Sequence, residues 1–130
     1  MSEPTLERIL YVEDEPDIQA VARLALEHVG GFKVDVCSSG PEALERVREL
    51  RPDLILLDVM MPGMDGPTTL RALREIHDVG AIPVIFVTAK VQSHEVAEYK
   101  QLGALDVIAK PFDPMTLSDA VREIWRRAHG

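Results

Sequence analysis

Short apolar runs alternate five times with longer segments of helical period, and this alternation constrains the fold more than any other feature of the sequence. The runs are strand-sized and almost unbroken in apolar character, which is typical of parallel strands covered on both faces. Such strands need long crossover connections, so the pattern predicts an open, doubly wound α/β sheet with helices on both faces. Five strands are too few for the eight-stranded α/β barrel. The strands are predicted over residues 8–12, 33–37, 53–57, 83–87 and 105–109.

Local signals predict where the helices begin and end. Pro16 is tolerated in a first helical turn, and Gly30-Gly31 ends the helix that follows it. Ser39 and Glu42 have the capping-box spacing at the start of the second helix. In the last helix Trp125 belongs to the apolar stripe, which predicts packing in the core. The third helix is predicted after a loop from Asp58 to Gly66 and carries Leu70, Leu73 and Ile76. The other helices are predicted over 93–102 and from Asp113-Pro114 to Ala128.

Composition excludes several classes of protein. A net charge of −8 disfavours direct nucleic-acid binding, since phosphate backbones require clustered Lys and Arg. No apolar run is long enough to cross a membrane, and the N-terminal Met1-Ser2-Glu3-Pro4 lacks the pattern of an export signal. The single cysteine, Cys37, cannot form an internal disulfide and suits a reducing compartment. We therefore expect residues 1–130 to form one cytoplasmic domain.

Reactive side chains follow four of the five predicted strands. Glu13 and Asp14 come after the first strand, Asp58 after the third, Thr88 after the fourth and Lys110 after the fifth. Strands often run into polar loops, so any one of these residues is weak evidence of a site. Because the carboxyl ends of parallel strands meet at one edge of the sheet, their joint occurrence predicts a shared site there.

The chemistry of this predicted site follows from its charges. Carboxylates that lie close together repel one another unless a cation joins them. Ligands that are all oxygen favour Mg²⁺, and the absence of His and Cys from the group disfavours zinc. Lys110 and Thr88 could then neutralise a phosphoryl group together with the metal, which leaves the centrally placed Asp58 as the nucleophile.

Four segments, in this order and at these spacings, resemble the CheY-like receiver domains of two-component response regulators. The resemblance runs from Ile9 to about Ala128 and implies a flavodoxin-like (βα)5 fold with strand order 2-1-3-4-5. The matching segments are Tyr11-Val12-Glu13-Asp14-Glu15-Pro16, residues 54–66, Val84-Ile85-Phe86-Val87-Thr88-Ala89, and residues 103–112 with Lys110-Pro111-Phe112 at their end.

The resemblance implies that Asp58 is the phosphoacceptor and that Thr88 and Lys110 contact the phosphoryl group. The Lys110–Pro111 bond is usually cis in this family. The donor would be a sensor histidine kinase or a histidine phosphotransfer protein. The domain would hydrolyse its acyl phosphate slowly without being an enzyme in the ordinary sense. As a monomer or weak dimer, it would switch its contacts with a downstream protein target.

The resemblance also implies a set of Mg²⁺ ligands. Asp14 would bind the metal directly, as would Asp58. Glu13 stands at the position of the neighbouring acid, which usually acts through a metal-bound water. Met60 would contribute its backbone carbonyl, so its side chain is not expected to be a ligand.

One position departs from the family pattern. Receivers commonly have Tyr or Phe three residues before the lysine, where this sequence has Val107. The aromatic ring normally moves inward with the threonine, and valine has no comparable rotamer change. We therefore expect phosphorylation chemistry to survive, with switching carried by displacement of the loop Ala89 to Ser93 and of the helix after it.

Other functions fit these residues less well. A small Mg²⁺-dependent phosphatase or a toprim-type nucleotidyl domain usually has a second acid two residues after the first, where Met60 stands. A flavodoxin-like cofactor binder would need a Ser/Thr-rich phosphate cradle after the first strand, where Glu13-Asp14-Glu15 would instead repel the phosphate of FMN. A degenerate receiver would lack part of the pocket. The chain ends shortly after the fifth helix, which leaves open a stand-alone regulator or a receiver excised from a longer protein with an output domain.

Overall fold

The computed structural model describes residues 5–129, and a five-stranded parallel sheet lies at its centre. The strand order is β2-β1-β3-β4-β5, and every neighbouring pair is parallel, which confirms the predicted fold. Residues 1–4, which bear on the expectation about export, lie outside the described range. The strands are β1 (Arg8–Val12), β2 (Lys33–Cys37), β3 (Leu54–Asp58), β4 (Val84–Thr88) and β5 (Asp106–Ala109).

The helices follow the predicted order, with two corrected ends. The last helix begins at Leu117 rather than at Asp113, because Asp113 starts a turn in which its carbonyl accepts the Thr116 N–H (3.1 Å) and the Leu117 N–H (3.0 Å). The third helix ends at Arg74, before Ile76. The helices are α1 (Pro16–Leu24), α2 (Gly40–Leu50), α3 (Gly66–Arg74), α4 (Ser93–Gln101) and α5 (Leu117–His129).

The sequence pattern predicts one uniform helix up to Gly30, but the structure departs from this prediction. After α1 a π-helical turn covers Ala25–Val29. The Ala25 carbonyl accepts the Gly30 N–H (3.2 Å) and also the Ser118 hydroxyl of α5 (3.0 Å). A Cβ on Gly30 would lie 2.2 Å from the Ser118 Oγ, so the glycine permits this close approach. The turn is therefore tied to a helix that lies far away in sequence.

Alternate strand residues face two separate apolar layers. One layer contains Val12, Leu57 and Phe86, and the other contains Tyr11, Leu56 and Val87. Trp125 packs against the second layer, in agreement with its place on the apolar stripe of α5. None of the helices in residues 5–129 is long and apolar enough to cross a membrane. With both faces of the sheet covered, polar chemistry is confined to the strand ends.

Candidate functional site

The carboxyl edge of the sheet gathers the residues that the sequence singles out. Glu13 follows β1, Asp58 closes β3, Thr88 closes β4 and Lys110 follows β5. The strand register aligns these ends, since Asp58 pairs with Val87 on the neighbouring strand. The edge thus places one acid, one hydroxyl and one amine from three strands beside the acids of β1.

Two buried carboxylates share one ammonium group at this edge. Glu13 is 0% exposed and Asp58 is 2% exposed. The Lys110 Nζ lies 2.9 Å from Glu13 Oε1 and 3.3 Å from Asp58 Oδ1. The second oxygen of Glu13 accepts the Glu15 N–H at 3.2 Å. With both acids ionised, this group of three side chains carries one net negative charge in a region of little solvent.

The electrostatics of the group favour the uptake of positive charge. Burial raises the pKa of Glu13 to about 7, and the charge of Asp58 adds to this rise, while Lys110 and the Glu15 N–H oppose it. Burial lowers the pKa of Lys110, but its contacts with Glu13 and Asp58 outweigh that effect and hold the pKa above its usual value. A further cation would relieve the repulsion between the two acids.

Asp14 extends the two buried acids into a group that fits a metal ion. Glu13, Asp14 and Asp58 each offer one oxygen, and these oxygens all lie within 4.8 Å of one another. Asp14 is partly exposed and opens the group to solvent. Three oxygen donors with an open side match the preference of Mg²⁺ for few carboxylates and several waters.

Met60 follows Asp58 by two residues, and Thr88 closes the strand that pairs with β3. Met60 lies in the loop after β3 and is 63% exposed. Thr88 is 1% exposed, and its hydroxyl oxygen accepts the Lys90 N–H at 3.1 Å. The hydroxyl is thereby joined to the loop between β4 and α4. The Lys110–Pro111 peptide bond is cis, as is usual in the family that the sequence resembles.

Gly66 holds the loop after β3 against Asp58, a role that the sequence pattern does not reveal. The Gly66 N–H donates to the Val59 carbonyl at 3.0 Å. A Cβ on Gly66 would lie only 2.6 Å from the Asp58 carbonyl oxygen and 2.8 Å from the Val59 Cα. Any side chain here would therefore push on the backbone that carries Asp58.

Two further groups at this edge were not predicted. The Gln19 side-chain amide on α1 donates to the Glu13 carbonyl and to the Ser38 hydroxyl. The Tyr11 hydroxyl is buried without a hydrogen-bond partner among the described residues, and burial, together with the charges of Glu13 and Asp58, raises its pKa. No sequence motif marks a glutamine or a tyrosine at these positions as part of the site, so only the three-dimensional structure reveals their place in it.

Val107 sits opposite Phe86 in the pairing of β4 with β5 and packs, partly buried, against the first apolar layer. Phe86 and Tyr99 of α4 meet edge to face, with ring centroids 5.3 Å apart and planes at 78°. The aromatic packing on this side of the sheet therefore comes from β4 and α4 rather than from β5.

Comparison with known proteins agrees with this geometry. The family model described as a response regulator receiver domain matches residues 9–122. The DNA-binding response regulator MtrA of Mycolicibacterium smegmatis is 42% identical over 121 residues, which are 93% of this chain and 51% of MtrA. The transcriptional regulatory protein CseB of Streptomyces avermitilis is 40% identical over 127 residues, which are 98% of this chain and 52% of CseB. The chain thus spans about half the length of these curated relatives.

A solved structure shares the whole fold. The chemotaxis response regulator CheY4 of Vibrio cholerae superimposes with a TM-score of 0.84 at 29% sequence identity. The match covers 92% of this chain and 99% of CheY4.

Proposed function

This chain belongs to the family of response regulator receiver domains, and on that premise we propose that Asp58 is its phosphoacceptor. Receiver domains are signalling modules of two-component systems and not enzymes in the ordinary sense. The observation that carries the proposal is the near-complete burial of Asp58 beside Lys110 and two further acids. Two buried carboxylates that share one ammonium group are costly to the fold, so this arrangement is better explained by chemistry than by folding stability.

In this proposal the Asp58 carboxylate attacks the phosphorus of a phosphohistidine, the phosphorus–nitrogen bond breaks, and an acyl phosphate forms. Lys110 pairs with the new phosphoryl oxygens, since its ammonium already lies 3.3 Å from Asp58. The Thr88 hydroxyl donates a hydrogen bond to another of those oxygens. Water later attacks the phosphorus of the acyl phosphate, the bond to the Asp58 oxygen breaks, and inorganic phosphate leaves with the carboxylate regenerated. The domain performs this hydrolysis slowly.

Glu13, Asp14, Asp58 and the Met60 carbonyl are the proposed holders of Mg²⁺. When bound, the ion supplies positive charge against the phosphoryl oxygens. Glu13 already accepts hydrogen bonds from Lys110 and the Glu15 N–H, which orients its carboxylate at the cluster of acids. Asp14, as the partly exposed member, provides the oxygen most open to solvent.

Residues 1–130 form one receiver domain in this proposal, and the domain works in the cytoplasm as a monomer or weak dimer. Response regulators interact with histidine kinases, so a sensor kinase or a histidine phosphotransfer protein is the proposed donor. A downstream protein reads the phosphorylated state. Displacement of the loop 89–93 carries the signal, because Thr88 is hydrogen-bonded directly to it.

Labelling with acetyl phosphate and Mg²⁺, followed by intact-mass measurement, tests the proposal. We expect stoichiometric addition of one phosphoryl group to the wild-type protein and to Asp119→Asn, a matched control on the exposed side of α5. Asp58→Asn keeps the shape of the side chain and should not be labelled. Undiminished labelling of Asp58→Asn, or turnover of phosphomonoesters without labelling, would contradict the proposal.

A further inference from the structure

Gln19 links helix α1 to the backbone that carries the acids of β1. Its side-chain nitrogen donates to the Glu13 carbonyl and, at 3.1 Å, to the Ser38 hydroxyl. The orientation of this amide is dictated by its partner, because a backbone carbonyl only accepts hydrogen bonds and the nitrogen must therefore face it. Gln19 is partly buried, and neither of its two hydrogen bonds is to Asp58 or Lys110.

The Glu13 carbonyl needs this donor because the sheet does not supply one. The Glu13 N–H makes the last bond between β1 and β2, to the Cys37 carbonyl at 3.0 Å. Strand β2 ends at Cys37, and the chain then turns into α2. Because Glu13 is fully buried, water could not replace the Gln19 amide as the hydrogen-bond partner of its carbonyl. The Gln19 amide takes the place of the next ladder bond.

The other end of the Gln19 bridge is itself held in place. The Ser38 N–H donates to the Glu42 carboxylate at 2.7 Å, and the Ser39 hydroxyl accepts the Glu42 N–H at 3.2 Å. These bonds anchor Ser38 to the first turn of α2. Gln19 therefore connects the Glu13 carbonyl to a fixed point rather than to a free loop.

We propose that Gln19 is a positioning residue for the cation site, because its hydrogen bond to the Glu13 carbonyl sets the direction of the Glu13–Asp14 peptide. A peptide unit is planar, so the direction of its carbonyl also sets the position of the next Cα atom, that of Asp14. The Asp14 carboxylate is one of the three that converge within 4.8 Å. This inference rests on the proposed function of those carboxylates as Mg²⁺ ligands.

The substitution Gln19→Met tests the proposal, because methionine keeps the length of the side chain and removes the donor. We expect the Kd for Mg²⁺, measured by calorimetry, to rise about tenfold, as is common when a group that orients a metal ligand is lost. In acetyl phosphate labelling the half-saturating Mg²⁺ concentration should rise by the same factor, with the rate at saturating Mg²⁺ unchanged. Gln101→Met, the same change at the exposed end of α4, is the matched control and should leave both values unchanged.

Two results would overturn the proposal. One is a wild-type Kd for Mg²⁺ in Gln19→Met, and the other is a loss of labelling that saturating Mg²⁺ does not restore. If the variant folds poorly, amide exchange in the wild-type protein decides instead, since a side-chain proton of Gln19 held by Glu13 must exchange slowly. Failure of the proposed function looks different, because wild-type protein would then neither bind Mg²⁺ nor become labelled.

Discussion

Two aspartates bracket strand β3 and do opposite things for the fold. Asp53 precedes the strand, and its carboxylate accepts the Glu7 N–H (3.0 Å) and the Arg8 N–H (2.9 Å). Asp58 closes the same strand, is 2% exposed, and shares the Lys110 ammonium with Glu13. The Asp53 carboxylate joins β1 to β3, whereas the Asp58 carboxylate lies close to two further acids.

The difference follows from the polarity of parallel strands. At the amino edge, backbone N–H groups extend beyond the last ladder bond and stabilise a carboxylate. At the carboxyl edge, backbone carbonyls extend instead, and an acid there needs a side-chain or external cation. The amino edge is therefore suited to a structural acid, and the carboxyl edge to one that binds cations.

The largest expected effect is a fall in stability with rising pH at the carboxyl edge. In the folded protein Glu13 keeps its proton up to a pKa of about 7, whereas in the unfolded chain it ionises near 4.5. The folded state binds the extra proton, so stability present below the lower pKa is lost as the pH rises through the higher one. For metal-free protein we expect a loss on the order of 2–3 kcal/mol in denaturant titrations across this window. Glu13→Gln should flatten the profile, and a flat wild-type profile would show that Lys110 keeps Glu13 ionised.

Removal of each aspartate compares the two edges directly. Asp53→Ala should lower the free energy of unfolding by about 2 kcal/mol, because two N–H groups lose a charged acceptor. Asp58→Ala should leave metal-free protein at pH 8 at least as stable as wild type. The Lys110 ammonium would then pair with Glu13 alone, and the repulsion between the two acids would be gone. Chemical denaturation measures both. Equal losses in the two variants would mean that the edges do not differ in this way.

Substitution of Gly66 should disturb the carboxyl edge through its backbone. The Cβ of Gly66→Ala would press on the Asp58 carbonyl, and we expect a loss of about 1–2 kcal/mol together with slower acetyl phosphate labelling. Gly63→Ala is the control, since Gly63 has a φ of +74° but open space around its Cβ. That variant should lose some stability through backbone strain and keep its labelling rate. Unchanged labelling in Gly66→Ala would show that the loop yields without moving Asp58.

The smallest expected effect is a change in amide chemical shifts upon addition of beryllofluoride and Mg²⁺. The amides of the loop 89–93 should shift, because Thr88 is hydrogen-bonded to the Lys90 N–H. The Glu7 and Arg8 amides, which Asp53 holds at the opposite edge, should not. Shifts confined to the acids and Lys110 would exclude the loop as the route of the signal.

Much of the fold could be predicted because it depends on local period. The strand bounds agree with the predicted ones within one residue, and the strand order follows from the family resemblance. The errors lie where distant groups compete with local signals. Asp113-Pro114 has the signature of a helix start, but Asp113 accepts N–H groups in a turn. The π-helical turn before Gly30 is joined to Ser118, which no pattern within α1 can reveal.

By itself, the sequence determined that Glu13, Asp14, Asp58, Thr88 and Lys110 would meet, because parallel strands bring their carboxyl ends to one edge. Only the tertiary structure decided how they meet. Lys110 lies closer to Glu13 than to Asp58, the Gln19 amide faces the Glu13 carbonyl, and the absence of a Cβ at Gly66 lets the loop approach Asp58 closely. These choices depend on burial and on hydrogen-bond partners that come from other elements of the chain. A linear pattern predicts which groups share an edge, but the direction of each group is set by the packing around it.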